Sequence, residues 1–571
     1  MPDRSAHLTF DITEIPFSTR GAWMDISPVI GVHQTAPELH LVSHQTGIHP
    51  VLRLTPLVDG EPVASTIAAS PSVLTWTTTA GIIEATFDRP DTLRLRGHGV
   101  GLNLADPASA LTPFTGTYLY RDPMDGSAVL SSYETGRRYR VTALAGTVTV
   151  VGAEALGEHE RSVTATGDAG WEIAIEEFEA ARPAYAPSLE FDAVVDASAA
   201  RFGAFADAIA GWRTAATPAA ELAAYVVWSA TVSPRGFLGR ESVLMSKHWM
   251  DKVWSWDHCF NAIALAEGEP RMALDQFLAP FDHQDASGAL PDSIAHSEIL
   301  YNFVKPPIHG WAFQKLRTLL PEPMDAVQLA EIYAVLAKWT RFWLDSRRAP
   351  GRILPHYQHG NDSGWDNSTT FDLDRVIEAP DLAAFLIVQL DELASLADEL
   401  RNGGGDGWRR DATNIFAALM DDLWTGDNFV AVGALTGRIG STSSLLNLLP
   451  ILASSRFAPE VSARLARHIT THLTAQGLAT ELPSSAFYEA DGYWRGPIWA
   501  PSTVLIEDGL RTAGHDGLAN TISERFRALC ERSGFAENFD ALTGDGLRDR
   551  AYTWTASAYL SLARAAVARH G

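Results

Sequence analysis

The hydrophobic period of this chain changes near residue 200, and no single secondary-structure class satisfies both halves. Before that point apolar residues alternate in short β-branched runs: "HPVLRLTPLVDG", "GIIEATFDRPDTLRLRGHG", "GTVTVVGAE" and "GWEIAIEEFEA". Gly, Pro and Asp punctuate them every ~8–12 residues, the spacing of an antiparallel sandwich. After it, "MDAVQLAEIYAVLAKWTRFWLDSRR", "DLAAFLIVQLDELASLADELRN" and "AYTWTASAYLSLARAAVARHG" place apolar residues at i, i+3, i+4 and i+7. With weaker stretches included this gives roughly a dozen helices over ~370 residues. The sequence therefore predicts two domains, an N-terminal antiparallel β-sandwich over 1–200 and an all-α domain over 201–571.

The connections between helices are of two kinds. Some are short, such as "NGGGDG". Others are long, polar and aromatic, and long ordered loops on a rigid scaffold usually carry function. Antiparallel helix pairs arranged in a ring would collect such loops at one end, so an (α/α)6 toroid is the expected architecture. A solenoid is the alternative, but the fixed repeat it needs is absent.

Charge narrows the partners. Lys and Arg number 44 against 69 Asp and Glu, a formal charge of −25. Such a surface repels phosphate backbones and anionic lipid, so neither nucleic acid nor membrane is expected as a partner. No apolar run approaches the ~20 residues that span a bilayer. The opening "MPDRSAHLTFDITEIPF" lacks the basic start and apolar run of a secretory signal, which makes the cytoplasm the expected location. Oligomeric state is not legible. Two cysteines, Cys259 and Cys530, exclude a disulfide framework and cannot alone supply four zinc ligands. Cys259 lies among apolar residues and reads as core. No cofactor motif is present. The many loop Asp residues leave room for a structural calcium without giving a ligand spacing.

Five of the 17 Trp stand beside polar residues rather than in apolar runs: Trp254, Trp256, Trp365, Trp494 and Trp499. Flat apolar faces with polar neighbours suit sugar rings, although Trp is also a good core filler. Four stretches are candidates for chemistry. In "VWSWDHCFNAIALA", Asp257 is either a helix N-cap or a ligand for sugar hydroxyls flanked by rings. In "NDSGWDNSTTFD", Asp366 is either a turn residue or a carboxyl presented to substrate beside Trp365. In "DGYWRGPIWAPS", Arg495 and Gly496 let guanidinium and backbone approach a ligand, or Pro497 simply opens a helix. In "GFAENFDALTGDG", Glu537 is either a solvated surface residue or a second carboxyl.

Two carboxyls among aromatics are what glycoside hydrolysis requires. One protonates the leaving oxygen while the other activates water or attacks directly. Aromatic burial keeps the acid protonated near neutral pH. The sequence has no His-Glu-x-x-His, P-loop or Gly-x-Ser-x-Gly motif.

The ordered set "WSWDHCFNA", "GALPD", "KPPIHGWA", "SGWDNS", "GYWRGPIW" and "ENFDALTG" resembles glycoside hydrolase family 63 over roughly residues 240 to 570. "IPFSTRGAWM" is similar to the start of some members' N-terminal domain. That family holds processing α-glucosidase I, bacterial α-glucosidases, and mannosylglycerate and glucosylglycerate hydrolases. The resemblance implies an inverting enzyme on an (α/α)6 domain, with Asp366 as general acid and Glu537 as general base. It also implies that Trp256, Asp257, Tyr493, Trp494, Gly496 and Trp499 hold the sugar in the −1 subsite. Trp254, Lys305, Trp365 and Arg495 complete the expected substrate-binding set. The chain departs from the family where a Trp is common and Asn361 stands, where a Pro is common and Thr369 stands, and where the glycerate-ester hydrolases have Gln and Lys305 stands. The resulting expectation is an exo-acting α-glucosidase for a short oligosaccharide or glucoside, with glycerate-linked substrates second. A sugar phosphorylase and a non-catalytic carbohydrate-binding protein are the rivals from other classes.

Overall fold

The structure, a computed structural model, describes residues 8–30, 35–107, 116–153 and 160–570. Its first part is an antiparallel β-sheet region and its second part is helical. Two compact units are present, and they interleave where the change of period suggested a single cut. One is Met1–Ala208 with Ala224–Lys252 and Ala295–Glu298; the other is Ile209–Ala223, Val253–Ile294 and Ile299–Gly571.

The first unit holds a seven-stranded and an eight-stranded sheet, both antiparallel. Alternation decides which faces meet. In strand Ile82–Arg89, Ile83, Ala85 and Phe87 point into the core while Glu84 and Asp88 do not. Leu52 and Leu54 of strand His49–Val58 and Leu102 and Leu104 of strand Gly101–Ala105 enter the same buried cluster from the other sheet. Helix α1 (Phe191–Ala210) begins just before the predicted boundary, and most of it belongs to this unit. Phe202 of α1 meets Tyr225 of α2 (Ala220–Ala230), whose ring stacks on Phe10 at 4.5 Å.

In the second unit the helices alternate between two roles. Helix α3 (His258–Leu265) packs against α5 (His309–Leu319), α5 against α7 (Pro380–Glu399), and α7 against a 3₁₀ run, Leu445–Arg456. That run packs against α10 (Ala500–Thr512), α10 against α12 (Thr553–His570), and α12 returns to α3. Helices α4 (Pro270–Leu278), α6 (Ala326–Arg341), α8 (Gly405–Ala418), α9 (Pro459–His472) and α11 (Asp516–Ser533) fall between them in sequence and pack on their flanks. Pro450 explains why one inner element is not an α-helix: it lacks the N–H that an i→i−4 ladder needs. The loops that enter the inner elements carry Trp256, Asp366, Tyr493 and Glu537. No helix among the described residues is long and apolar enough to cross a membrane.

Candidate active site

The loop carrying Asp366 is built around a different carboxylate. Asp362 accepts the backbone N–H groups of Val304 (3.1 Å) and Gln358 (2.8 Å) and the Arg347 guanidinium (2.8 Å). Gly364 follows with φ 74°, and a Cβ there would lie 2.5 Å from the Trp256 indole. Glycine is thus required for both the left-handed turn and the close approach of Trp256. Ser368 and Thr369 turn inward, to Ser444 at 2.9 Å and Glu481 at 2.7 Å. Asp366, between these anchors, remains partly exposed.

Asn367 joins this loop to the one carrying Tyr493. Its amide donates to the Gly492 carbonyl (3.0 Å) and accepts the Trp494 N–H (3.0 Å). Arg495 donates to the Asn367 carbonyl (2.8 Å) and to Asp372 (2.5 Å), so its guanidinium is engaged in a tether between the loops. Tyr493 has φ 62°, a sparsely populated conformation for a non-glycine residue that often marks a functional site. The Arg548 guanidinium lies 5.0 Å from its ring centroid. Gly496 brings its backbone so close to Glu489 that a Cβ would stand 2.2 Å from the Glu489 carbonyl oxygen.

Glu537 precedes a two-strand hairpin, Asn538–Phe539 with Gly546–Leu547. Phe539 bridges to Ile498 (2.7 and 3.0 Å), which ties the hairpin to the Tyr493 loop. Glu537 is 1% exposed, and neither carboxyl oxygen has a hydrogen bond of good geometry, although the Tyr493 hydroxyl lies beside it. Asp257 is 4% exposed, with helical φ and ψ and no capping hydrogen bond, and its Oδ1 is unpaired. The N-cap reading of Asp257 therefore fails, because the chain is already helical there.

Four of the five singled-out Trp form one aromatic wall. Trp494 stacks on Trp499 at 4.1 Å with planes 5° apart, and Trp365 packs on Trp494 at 4.6 Å. Trp256 lies 6.4 Å from Trp494 and meets Trp554 edge-on at 5.7 Å. Trp365, Trp494 and Trp499 are almost wholly enclosed, so much of their surface packs against other rings. Trp254 is half-buried, on a short strand paired with Ser293–Ile294.

A buried lysine stands among the acids. Lys305 lies 3.0 Å from Asp292 and donates to the Asn361 carbonyl at 3.0 Å. Burial works to lower its pKa, but Asp366 and Asp292 outweigh that and raise it. Burial raises Asp366, with Lys305 opposing and Asp292 adding. Burial pushes Asp257 well up, Lys305 opposes, and Asp366, Asp292 and Glu537 add. Glu537 is raised to about 8 by burial and by Asp549, against Arg548 and the Tyr493 hydroxyl. These mutual effects put Asp257, Asp292, Lys305, Asp366, Tyr493 and Glu537 in one electrostatic field.

Sequence reasoning gave no role to Asp292, Arg548, Trp554 or Tyr552, whose ring meets Trp554 edge-on at 5.4 Å. "GALPD" held the first without marking its partner, and "YTW" at the start of α12 was the available signal for the last two. Titratable carboxyls with raised pKa, beside an aromatic wall and one buried cation, suit proton transfer to and from an acetal.

Fold and site together define a glycoside hydrolase. The model of the mannosylglycerate hydrolase MGH1-like glycoside hydrolase domain matches residues 250–555, and the chain belongs to that family, within glycoside hydrolase family 63. A mannosylglycerate hydrolase of Rubrobacter radiotolerans is 22% identical over 54% of this chain and 90% of its own. Mannosylglycerate hydrolase MGH2 of Selaginella moellendorffii is 24% identical over 54% of this chain and 79% of its own. Among solved structures, the family 63 mannosylglycerate hydrolase of Thermus thermophilus in complex with glucose superposes with TM-score 0.54 at 21% identity. The match covers 60% of this chain and 99% of that one.

Proposed function

We propose that the chain is an inverting, exo-acting α-glycosidase of a small hexosyl glycerate, with Asp366 as general acid and Glu537 as general base. The observation that carries it is Glu537: a buried carboxyl beside the Tyr493 hydroxyl, in the same electrostatic field as Asp366, on a family 63 scaffold. Asp366 gives its proton to the glycosidic oxygen as the C–O bond breaks. Glu537 takes a proton from the water that attacks the anomeric carbon on the opposite face. That geometry asks for carboxyl groups ~6.5–9.5 Å apart, with room for the water. Trp256, Asp257, Tyr493, Trp494, Gly496 and Trp499 enclose the sugar, Trp254, Trp365 and Lys305 flank it, and Arg495 holds the loops in register. The closed order of helix contacts supports an (α/α)6 toroid for this domain.

The sequence expectation favoured a general α-glucosidase. The named relatives are mannosylglycerate hydrolases, and this moves glycerate-linked substrates to first place. An anionic aglycone needs local cations on a chain of charge −25. Arg375 lies 3.0 Å from His359, which caps the turn leading to Asp366, and this cation supports the same reading.

The pKa of Glu537 favours a second assignment. A carboxyl held at about 8 is protonated at neutral pH and suits an acid, with Asp366 then the base. Aryl glycosides separate the two, because a good leaving group needs no acid and rescues only the acid variant. The test of substrate is a panel of mannosylglycerate, glucosylglycerate and α-linked disaccharides, with NMR of the first anomer released. A glycerate-linked substrate turned over at least ~10²-fold faster, with the β-anomer first, is expected. Initial release of the α-anomer contradicts inversion, and turnover that requires phosphate favours a phosphorylase.

A further inference from the structure

Directly behind Asp257 lies a second cluster that hydrolysis does not use. His258 and Cys259 open α3, and His309 opens its neighbour α5. One ligand atom from each residue lies within 4.8 Å of the others, and all three side chains are buried. His258 Nδ1 is 3.0 Å from the Trp254 carbonyl. That contact places the ring proton on Nδ1 and turns the Nε2 lone pair toward the Cys259 thiol, the arrangement found in metal-ligating histidines. Nε2 stands 3.6 Å from Cys259 Sγ. Two ligands on one tetrahedral or trigonal ion are ~3.5–3.8 Å apart, given metal–N and metal–S bonds of ~2.0–2.3 Å.

His309 supplies the independent observation. Its ring is fully closed to solvent, and neither nitrogen has a hydrogen bond of good geometry, although the Ser255 backbone carbonyl lies beside it. Such a group is costly to bury and calls for an explanation. Phe277, Phe281 and Trp339 flank it, and the His258 ring lies 5.3 Å away.

We propose that His258, Cys259 and His309 form a closed site for a thiophilic d¹⁰ ion, Zn(II) or Cu(I), that clamps the N-terminal ends of α3 and α5 together. Binding replaces the thiol proton by a metal–sulfur bond and releases that proton to solvent; no electron is transferred. The N-terminal end of α3 opposes a bare cation, so the ion's charge has to be offset by the thiolate it binds. A Cu(I)–thiolate pair is neutral and suits three ligands in an apolar surround. Zn(II) would keep one positive charge and seek a fourth ligand.

The test is metal content. Full-length chain, purified without a polyhistidine tag, is unfolded, refolded with Zn(II) or anaerobically with Cu(I), desalted and measured by mass spectrometry for metal. About one equivalent of at least one ion per chain is expected, with sulfur and nitrogen ligands by X-ray absorption. Cys259→Ser and His309→Gln should lose it, and Cys530→Ser, which alters the other buried thiol, should keep it. Wild-type chain that holds under about a tenth of an equivalent after both loadings overturns the proposal. So does a bound ion without sulfur in its first shell, or equal metal in the folded Cys259→Ser, His309→Gln and wild-type chains.

Discussion

Lys305 and Asp292 face each other across 3.0 Å, with both side chains nearly closed to solvent. Asp257 and Asp366 act on the same ammonium. One lysine thus offsets the mutual repulsion of the acids that crowd the site.

Asp292→Asn should leave that ammonium with a poorer partner. Breaking a buried pair from one side costs on the order of 3 kcal/mol, so the urea midpoint should fall with the slope unchanged. Activity on the best glycoside should fall with it, by roughly 10-fold in kcat/KM. An unaltered midpoint would show that Asp366 alone holds Lys305.

Glu537 makes the folded state pH-sensitive. Its carboxyl ionises at about 8 in the fold against an ordinary value of 4.5. Between those values the folded chain binds more protons than the unfolded chain, so this group's contribution is fully present below about 4.5 and lost as pH rises through about 8. Glu537→Gln removes the penalty. Thermal melts should find the variant more stable than wild type at pH 8, by on the order of 2 kcal/mol, and equal to it at pH 4.5. A variant less stable at pH 8 contradicts the burial argument.

The same ionisation separates the two catalytic assignments. If Glu537 is the base, kcat/KM of the wild-type enzyme should rise with pH toward about 8. If it is the acid, activity should fall through that value. The two carboxyls are coupled, so each limb reports the pair rather than one residue.

Gly364 is where backbone and site meet. Gly364→Ala adds a Cβ 2.5 Å from the Trp256 ring at a residue with φ 74°. The strain and the clash together should cost about 2 kcal/mol or more. Because Asp366 lies two residues on, kcat should drop more than stability alone explains, read at a temperature where the variant is fully folded.

Much of this was legible because it is local. The change of period located the sheets and the helices, and the loops with Trp beside carboxyls are ones the fold joins through Asn367 and Phe539. Partnership was not legible. Period alone does not say that α1 groups with the first unit and meets α2 through Phe202, nor that the inner element holding Pro450 is a 3₁₀ run. Asp257 read equally well as an N-cap until its helical φ and ψ were seen. Arg495 read as a substrate ligand, but its guanidinium reaches Asn367 and Asp372, contacts set by a fold that joins residues more than 120 apart. Asp292 stayed silent for the same reason: only the fold brings Lys305 to it.

The most direct test of the two-carboxyl site is the single-turnover rate of Asp366→Asn and Glu537→Gln on the best hexosyl glycerate, with folding checked by circular dichroism. Each variant should lose at least ~10²-fold against wild type, the scale of acid–base catalysis. Wild-type rates in either folded variant would contradict the role given to that residue.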